Sequence, residues 1–312
     1  MTRRFSSSAS SMEAVAPPLG PLPYVMALES GQSVTLQSKG LLTGKHVQAT
    51  LRLPASTGQG VVFIINGQRL PATLANVADA QRGITLLEPT TRTPLSIVEH
   101  LLAAVSLSGQ HDLDVLLCDA TAPDALLTHA ELPLLDGSAW PWFEAIRACF
   151  GVKAVVPRYR ITKRCWLPLG GRKWILAEPF EGLKLTYALN YPHEALKQTW
   201  GVWQHTTLED EANLYALLGS ATFGEVAELP ALQAKGMALG VDATNTVGLL
   251  EDNVGFTRPL HHVAELHHHK SVDFMGDCFL AGKNLSHYQG AFTCLYTGHL
   301  AFAQTPWPCE RL

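Results

Sequence analysis

The chain has 312 residues, which at roughly 150 residues per domain predicts two domains. Apolar residues make up 47% of the chain, enough to give each domain its own core, and this excludes a disordered or fibrous chain. Only 16% of the residues are charged and the net charge is -4, so no chain-wide basic field favours a nucleic acid partner. Apolar runs such as residues 61–65 are far shorter than the roughly 20 residues of a membrane-spanning helix, which predicts a soluble protein.

Residues 1–22 are rich in Ser, Ala and Pro and are predicted to form a disordered tail. Their arginines and serines leave an organellar transit peptide as the alternative. The six cysteines are scattered and include no Cys-x-x-Cys pair, which is typical of thiols in a reducing compartment. We therefore expect a cytoplasmic protein.

After the tail, the pattern predicts an N-terminal α+β domain over residues 23–152. Alternating apolar residues indicate strands, and apolar residues at helical spacing indicate two helices. The predicted strands are 33–37, 46–53 and 113–117, and the predicted helices are 97–107 and 141–150. Strands followed by a helix, a strand and a helix are typical of an α+β unit.

The second half repeats this order and predicts a C-terminal α+β domain over residues 153–312, with the boundary near 151–157. A Thr206-x-x-Glu209 capping pattern marks the start of its first helix. The predicted strands are 158–166, 173–178, 183–189 and 291–296, and the predicted helices are 208–218 and 264–280.

Histidine is the unusual residue type, because five of the 13 histidines lie between positions 261 and 269. On the predicted long helix, His269 and Asp273 are four residues apart and share a face, with Asp277 one turn further along. Imidazole and carboxylate ligands suit zinc, and a catalytic zinc site needs a third protein ligand. The alternative is that residues 267–269 are a solvated run on the helix surface.

His100 is the candidate third ligand. Glu99 beside it forms a capping box with Ser96, a pattern that stabilises a helix start and needs no catalysis. His299 follows a glycine just after the last predicted strand, a position typical of a loop-borne acid or base.

These residues belong to five segments that occur in one order: Val98-Glu99-His100-Leu101, Leu134-Leu135-Asp136-Gly137-Ser138, Thr222-Phe223-Gly224, His269-Lys270-x-x-Asp273-x-x-x-Asp277 and Gly298-His299. With them, the chain resembles the UDP-3-O-acyl-N-acetylglucosamine deacetylases of lipid A biosynthesis, from about residue 33 to residue 299. The resemblance implies zinc-dependent removal of the N-acetyl group from a UDP-linked acyl amino sugar. It also implies an α+β fold of two similar domains, each a sheet with two helices, with the helices sandwiched between the two sheets.

The resemblance assigns roles residue by residue. It implies that His100, His269 and Asp273 bind zinc between the domains, although two imidazoles and one carboxylate also accept iron(II) or cobalt. The other catalytic roles are Glu99 as general base, His299 as the group that stabilises the oxyanion and protonates the leaving amine, Asp277 as its partner, and Thr222 facing the zinc-bound oxygen.

The resemblance also indicates which residues bind the substrate. An insert near 224–255 matches the family's acyl-chain passage, although an ordinary core-facing helix would have the same pattern. Seven basic residues between 153 and 173 could attract a diphosphate or protect a sheet edge. The residues expected to contact substrate are Lys173, Phe223, Gly224, Val226, Leu229, Met237 and Lys270.

Several positions depart from the family pattern. Leu42 replaces a histidine, Ala221 replaces an arginine and Tyr296 replaces a lysine. None of these removes an expected metal ligand, but they leave an alternative function, a catalytically weakened relative that binds the nucleotide-lipid or a protein partner. We expect a monomer.

Overall fold

The computed structural model describes residues 24–29, 32–151, 153–205, 210–300 and 306–312. The predicted tail at 1–22 and the Thr206–Glu209 capping pattern lie outside these residues. The helices are α1 (Glu99–Ser108), α2 (Trp140–Phe150), α3 (Glu211–Leu218), α4 (Leu229–Gln233) and α5 (Glu265–Leu280). Among the described residues, no helix has the length and apolar character of a membrane span.

Strands of the first half form a six-stranded sheet in the order β1-β2-β3-β9-β4-β5 and a four-stranded sheet in the order β10-β8-β7-β6. Side chains in β2 alternate between buried and half-buried, as one covered face requires. The strands are β1 (Val25–Glu29), β2 (Ser33–Lys39), β3 (His46–Arg52), β4 (Val61–Ile65), β5 (Gln68–Pro71), β6 (Val77–Asp79), β7 (Thr85–Leu87), β8 (Pro94–Ser96), β9 (Leu113–Asp119) and β10 (Ala130–Glu131).

The second half contains a sheet in which β18 pairs with β13 on one side and with β14 on the other. Strands β12 and β15 form the two edges, and β11 with β19 lies beside the start of β18. The remaining strands are β11 (Tyr159–Ile161), β12 (Cys165–Pro168), β13 (Trp174–Glu178), β14 (Leu183–Leu189), β15 (Thr199–His205), β16 (Phe223–Glu225), β17 (Val247–Leu249), β18 (Tyr288–Leu295) and β19 (Cys309–Arg311).

Helices lie between the two large sheets. Helix α2 packs against β1 and β2, α5 packs against β14 and β15, and α1 and α3 both contact α5. Every residue of α1 is buried, and apolar residues occupy six of its ten positions. The predicted α+β class is confirmed. One predicted strand, 158–166, is instead two separate strands, β11 and β12.

Candidate active site

Helices α1 and α5 touch at a glycine. A Cβ atom on Gly276 would lie 2.2 Å from the carbonyl oxygen of Glu99, so no larger residue fits without separating the helices. This contact sets the first turn of α1, with Glu99 and His100, against the face of α5 that carries Asp273. The sequence analysis did not single out Gly276, and its only signal was a glycine inside a helical pattern.

Three ligand-type side chains meet at this contact. His100, His269 and Asp273 are buried, and one ligand atom from each lies within 4.8 Å of the other two. The Nε2 atoms of His100 and His269 are each 3.6 Å from Asp273 Oδ1. The two imidazole rings stand edge to face, with centroids 5.1 Å apart. The structure thus brings together the three residues expected to bind a metal.

The protonation states of this cluster suit a divalent cation. His269 Nδ1 donates to the Ser220 carbonyl oxygen at 3.1 Å, which leaves Nε2 free to bind a metal. Burial lowers the pKa of His269 to about 4, so its imidazole is neutral. Burial opposes ionisation of Asp273, but the ammonium group of Lys270 at 2.5 Å holds the pKa of Asp273 well below its usual range. Neutral imidazole and ionised carboxylate are the forms that bind metal.

Glu99 is buried beside the cluster. Its Oε2 accepts a hydrogen bond from the backbone N–H of Ile84 at 3.2 Å. Burial raises the pKa of Glu99, while the positive charge of His299 opposes that rise. The capping-box interpretation is wrong, because α1 begins at Glu99 without a side-chain cap. The Ser96 hydroxyl instead bonds to Thr85 Oγ1 at 2.9 Å.

His299 faces the cluster from the loop after β18. Its Nδ1 lies 3.3 Å from Asp277 Oδ1, and its Nε2 lies 4.0 Å from Asp273 Oδ2. Asp277 also accepts from the backbone N–H of Leu300 at 2.9 Å, which holds the loop on α5. Burial lowers the pKa of His299, but the Asp277 carboxylate outweighs it and raises this pKa to about 9. His299 is therefore a cation at neutral pH.

Thr222 is held by the turn at residues 134–138. Its backbone N–H donates to the Gly137 carbonyl at 2.8 Å. Gly137 has φ +82°, and a Cβ there would lie 1.7 Å from the Asn245 carbonyl oxygen. Only glycine allows both this conformation and this approach. The Leu-Leu-Asp-Gly-Ser segment therefore positions the strand that begins after Thr222.

An apolar cavity of about 290 Å³ begins beside the cluster. The Phe223 ring lies 5.9 Å from the His269 ring and forms part of its wall. Leu42, at one of the departing positions, also lines it. The residues expected to contact an acyl chain all lie in its wall: Phe223, Gly224, Val226, Leu229 and Met237.

The two lysines expected to bind substrate differ in position. Lys270 is half-buried and pairs with Asp273, whose charge raises the pKa of Lys270 although burial opposes this. Lys173 is exposed in the hairpin between β12 and β13. Because Trp174 pairs with Leu295, this hairpin lies at the end of β18 that leads to His299.

The alternative of a solvated histidine run is wrong. His267, His268 and His269 are all at most 4% exposed. His267 packs against Gly201 of β15, where a Cβ would lie 2.2 Å from the histidine Cβ. His268 Nε2 lies 3.1 Å from the Val202 carbonyl oxygen. These two rings fix α5 against the second sheet.

Comparison with known proteins identifies the family. The profile described as "LpxC: UDP-3-O-acyl N-acetylglycosamine deacetylase" matches residues 30–305. The chain belongs to this family. Members of the LpxC family are deacetylases, so the prediction of an amidohydrolase is confirmed at that level.

Three relatives named UDP-3-O-acyl-N-acetylglucosamine deacetylase illustrate the likeness within the LpxC family. The protein of Leptospira biflexa serovar Patoc is 31% identical over 275 residues, which are 86% of this chain and 84% of that protein. That of Syntrophus aciditrophicus is 28% identical over 85% of this chain and 80% of its own. That of Acidithiobacillus ferrooxidans is 31% identical over 80% of each.

Proposed function

We propose that the protein hydrolyses the N-acetyl group of UDP-3-O-acyl-N-acetylglucosamine, a step of lipid A biosynthesis, and releases acetate and the free amine. The observation that carries this proposal is the buried convergence of His100, His269 and Asp273, with the His269 ring 5.9 Å from the ring of Phe223, which lines an apolar cavity. These residues would hold zinc. When bound, zinc supplies a Lewis acid that polarises the amide carbonyl and lowers the pKa of a water molecule.

The chain's own residues supply the proton transfers. Glu99 accepts the proton of the attacking water, and its buried setting keeps its pKa closer to neutral than that of a solvated carboxylate. His299, held as a cation by Asp277, donates to the developing oxyanion and then to the leaving amine. The Thr222 hydroxyl assists at the oxyanion. Lys270 keeps Asp273 ionised and faces the substrate from the same cleft.

Substrate binding follows from the shape and charge of the site. The acyl chain occupies the cavity formed by Phe223, Gly224, Val226, Leu229 and Met237, with the amide placed at the cluster. Lys173, on the hairpin near the end of β18, contacts the diphosphate. We keep the monomer and the cytoplasmic location as predictions.

Changing Asp277 to asparagine is expected to move the alkaline limb of the pH–rate profile to lower pH. The Asp277 carboxylate raises the pKa of His299 to about 9, so the wild-type rate falls as the pH rises through about 9. Without this charge, His299 loses its proton at lower pH, and the limb moves down by about 1 to 2 units. Steady-state rates across the pH range check this. If the alkaline limb of the pH–rate profile stayed at the same pH, the loss of activity at high pH would come from a group other than His299.

Changing Met237 to tryptophan is expected to raise KM for long-chain substrates while kcat falls little. Met237 lines the cavity, so a larger side chain shortens the space for the acyl chain and leaves the metal cluster untouched. KM values across a series of acyl lengths measure this. A rise in KM that is equal for short and long chains would mean that the acyl chain lies elsewhere.

Acetate release from UDP-3-O-acyl-N-acetylglucosamine by zinc-loaded protein tests the proposed function directly. Turnover that is lost on chelation and restored by zinc supports it. Binding of the substrate by calorimetry without any release of acetate would instead favour the weakened relative, for which the departures at Leu42 and Tyr296 are the motivating observations.

A further inference from the structure

The outer face of the second large sheet carries two adjoining apolar rows. Trp203, Leu185 and Phe292 point inward and are at most 2% exposed, so their neighbours along each strand point outward. The pairing register aligns the first outward row as Trp166, Leu176, Thr293, Thr186 and Val202, and the second as Pro168, Trp174, Leu295, Ala188 and Trp200. We call these two rows the tryptophan face.

The tryptophan face is exposed along its two edge strands, β12 and β15, whereas Ala188 in the second row is 1% exposed. Trp166 is 60% exposed, Trp200 is 50% exposed and Val202 is 47% exposed. Edge strands that expose large apolar side chains to solvent are unusual unless another surface covers them. These exposed apolar side chains indicate a surface that binds a partner.

Basic side chains flank both ends of the edge strand β12. The Arg172 guanidinium lies 5.8 Å from the centre of the Tyr296 ring, just beyond Leu295. At the opposite end, Arg164 pairs with Glu178 at 2.5 Å. The border segment 163–178, which includes β12 and β13 with Trp166 and Trp174, has the basic residues Lys163, Arg164, Arg172 and Lys173 and one acidic residue, Glu178. This border segment therefore has a positive formal charge, whereas the whole chain has a net charge of -4.

We propose that the tryptophan face docks onto a membrane surface that contains anionic lipids. Tryptophan rings favour the boundary between water and hydrocarbon, because one edge is polar and the body is apolar. Lysine and arginine next to them gain energy from anionic headgroups. A second copy fits less well, since two-fold pairing of this face would bring two positive borders together.

The tryptophan face lies close in sequence to the active site, because β18 contributes to the face and leads directly to His299. Leu295, the central residue of the second row, is also the last residue of β18, and His299 follows it by four residues. Gly298 in this loop is exposed, and a Cβ there would meet no atom within 4 Å, so the surface next to His299 is open to solvent at this point. Docking therefore holds the opening of the site near the lipid surface, where a ligand with an acyl chain would accumulate.

Vesicle co-sedimentation of the full chain tests the docking without any reference to catalysis. The wild type is expected to bind vesicles of phosphatidylglycerol and phosphatidylcholine, to bind pure phosphatidylcholine weakly, and to dissociate at high salt. The double change Trp166→Gln with Trp200→Gln is expected to weaken binding at least tenfold. Arg172→Glu with Lys163→Glu is expected to weaken it at least about twentyfold, at about fivefold per basic residue removed.

Matched changes outside the tryptophan face serve as controls. Leu126→Gln with Val263→Gln removes two apolar side chains that are 78% and 96% exposed, and it should leave binding unchanged. Lys45→Glu with Arg92→Glu reverses two exposed charges elsewhere and should weaken binding much less than the border variant.

Three results would overturn the docking proposal. They are equal binding to neutral and anionic vesicles, unchanged binding in both test variants, and self-association of the wild type that the tryptophan variant abolishes, which would identify a second copy as the occupant. Circular dichroism excludes misfolding, and the charge variant decides the outcome if the tryptophan variant fails to fold. The experiment measures vesicle binding and not catalysis. A failure of the docking proposal can therefore be distinguished from a failure of the proposed acetate release.

Discussion

Changing Glu99 to glutamine is expected to lower the rate of acetate release by about 10²- to 10⁴-fold, the usual contribution of a general base. Glutamine keeps the shape of the side chain and an oxygen that can accept from the Ile84 N–H, but it cannot take a proton. Zinc content and melting temperature should stay close to wild type, because Glu99 is not one of the three clustered ligands.

The matched control for this change is Glu88→Gln. Glu88 is another buried glutamate of the first half, and it accepts hydrogen bonds from the backbone of the turn at Thr90 and Thr91. Loss of the Glu88 carboxylate should lower the melting temperature but change the rate of acetate release little. If Glu99→Gln retained the wild-type rate at full zinc occupancy, the proton would have to pass through another residue.

Changing Gly276 to alanine is expected to lower the free energy of unfolding by about 1 to 3 kcal/mol, the usual cost of overpacking a core. The added methyl group would overlap the Glu99 carbonyl oxygen, so α1 must move away from α5. This displaces His100 from His269 and Asp273, and zinc affinity should fall with stability. Thermal melts and zinc titration of the same samples measure both effects.

A graded series makes this test specific. Serine at 276 should be worse than alanine, and valine worse again, because each adds volume at the same contact. Gly224→Ala should change neither stability nor zinc affinity, since a Cβ there meets no atom within 4 Å. Unchanged zinc affinity in Gly276→Val would show that the cluster does not depend on the contact between α1 and α5.

Regular elements were predictable where the pattern was strong. Strand 183–189 has the predicted bounds, because its alternate residues face α5 and its ends are marked by glycine and asparagine. Helix 264–280 is correct to one residue. The spacing of His269 and Asp273 on one helix face was likewise visible in the sequence, since it depends only on helix geometry.

The rest of the site depends on contacts between distant parts of the chain. Spacing alone could not bring His100 to α5, because that requires the Gly276 contact, and only the likeness to the family indicated it. Local patterns also misled. Ser96 looks like a helix cap, but it ends strand β8 and its hydroxyl bonds across the sheet to Thr85. The histidine run looks solvated because the sequence does not show that β15 covers it.

Zinc content is the most direct test of the central claim that His100, His269 and Asp273 form one metal site. Wild-type protein, stripped with a chelator and dialysed against zinc, is expected to retain about one zinc per chain by elemental analysis. His100→Ala and Asp273→Ala, which remove ligands from different helices, should each retain much less than this under the same conditions. Full retention of zinc in both variants, or none in the folded wild type, would contradict the claim.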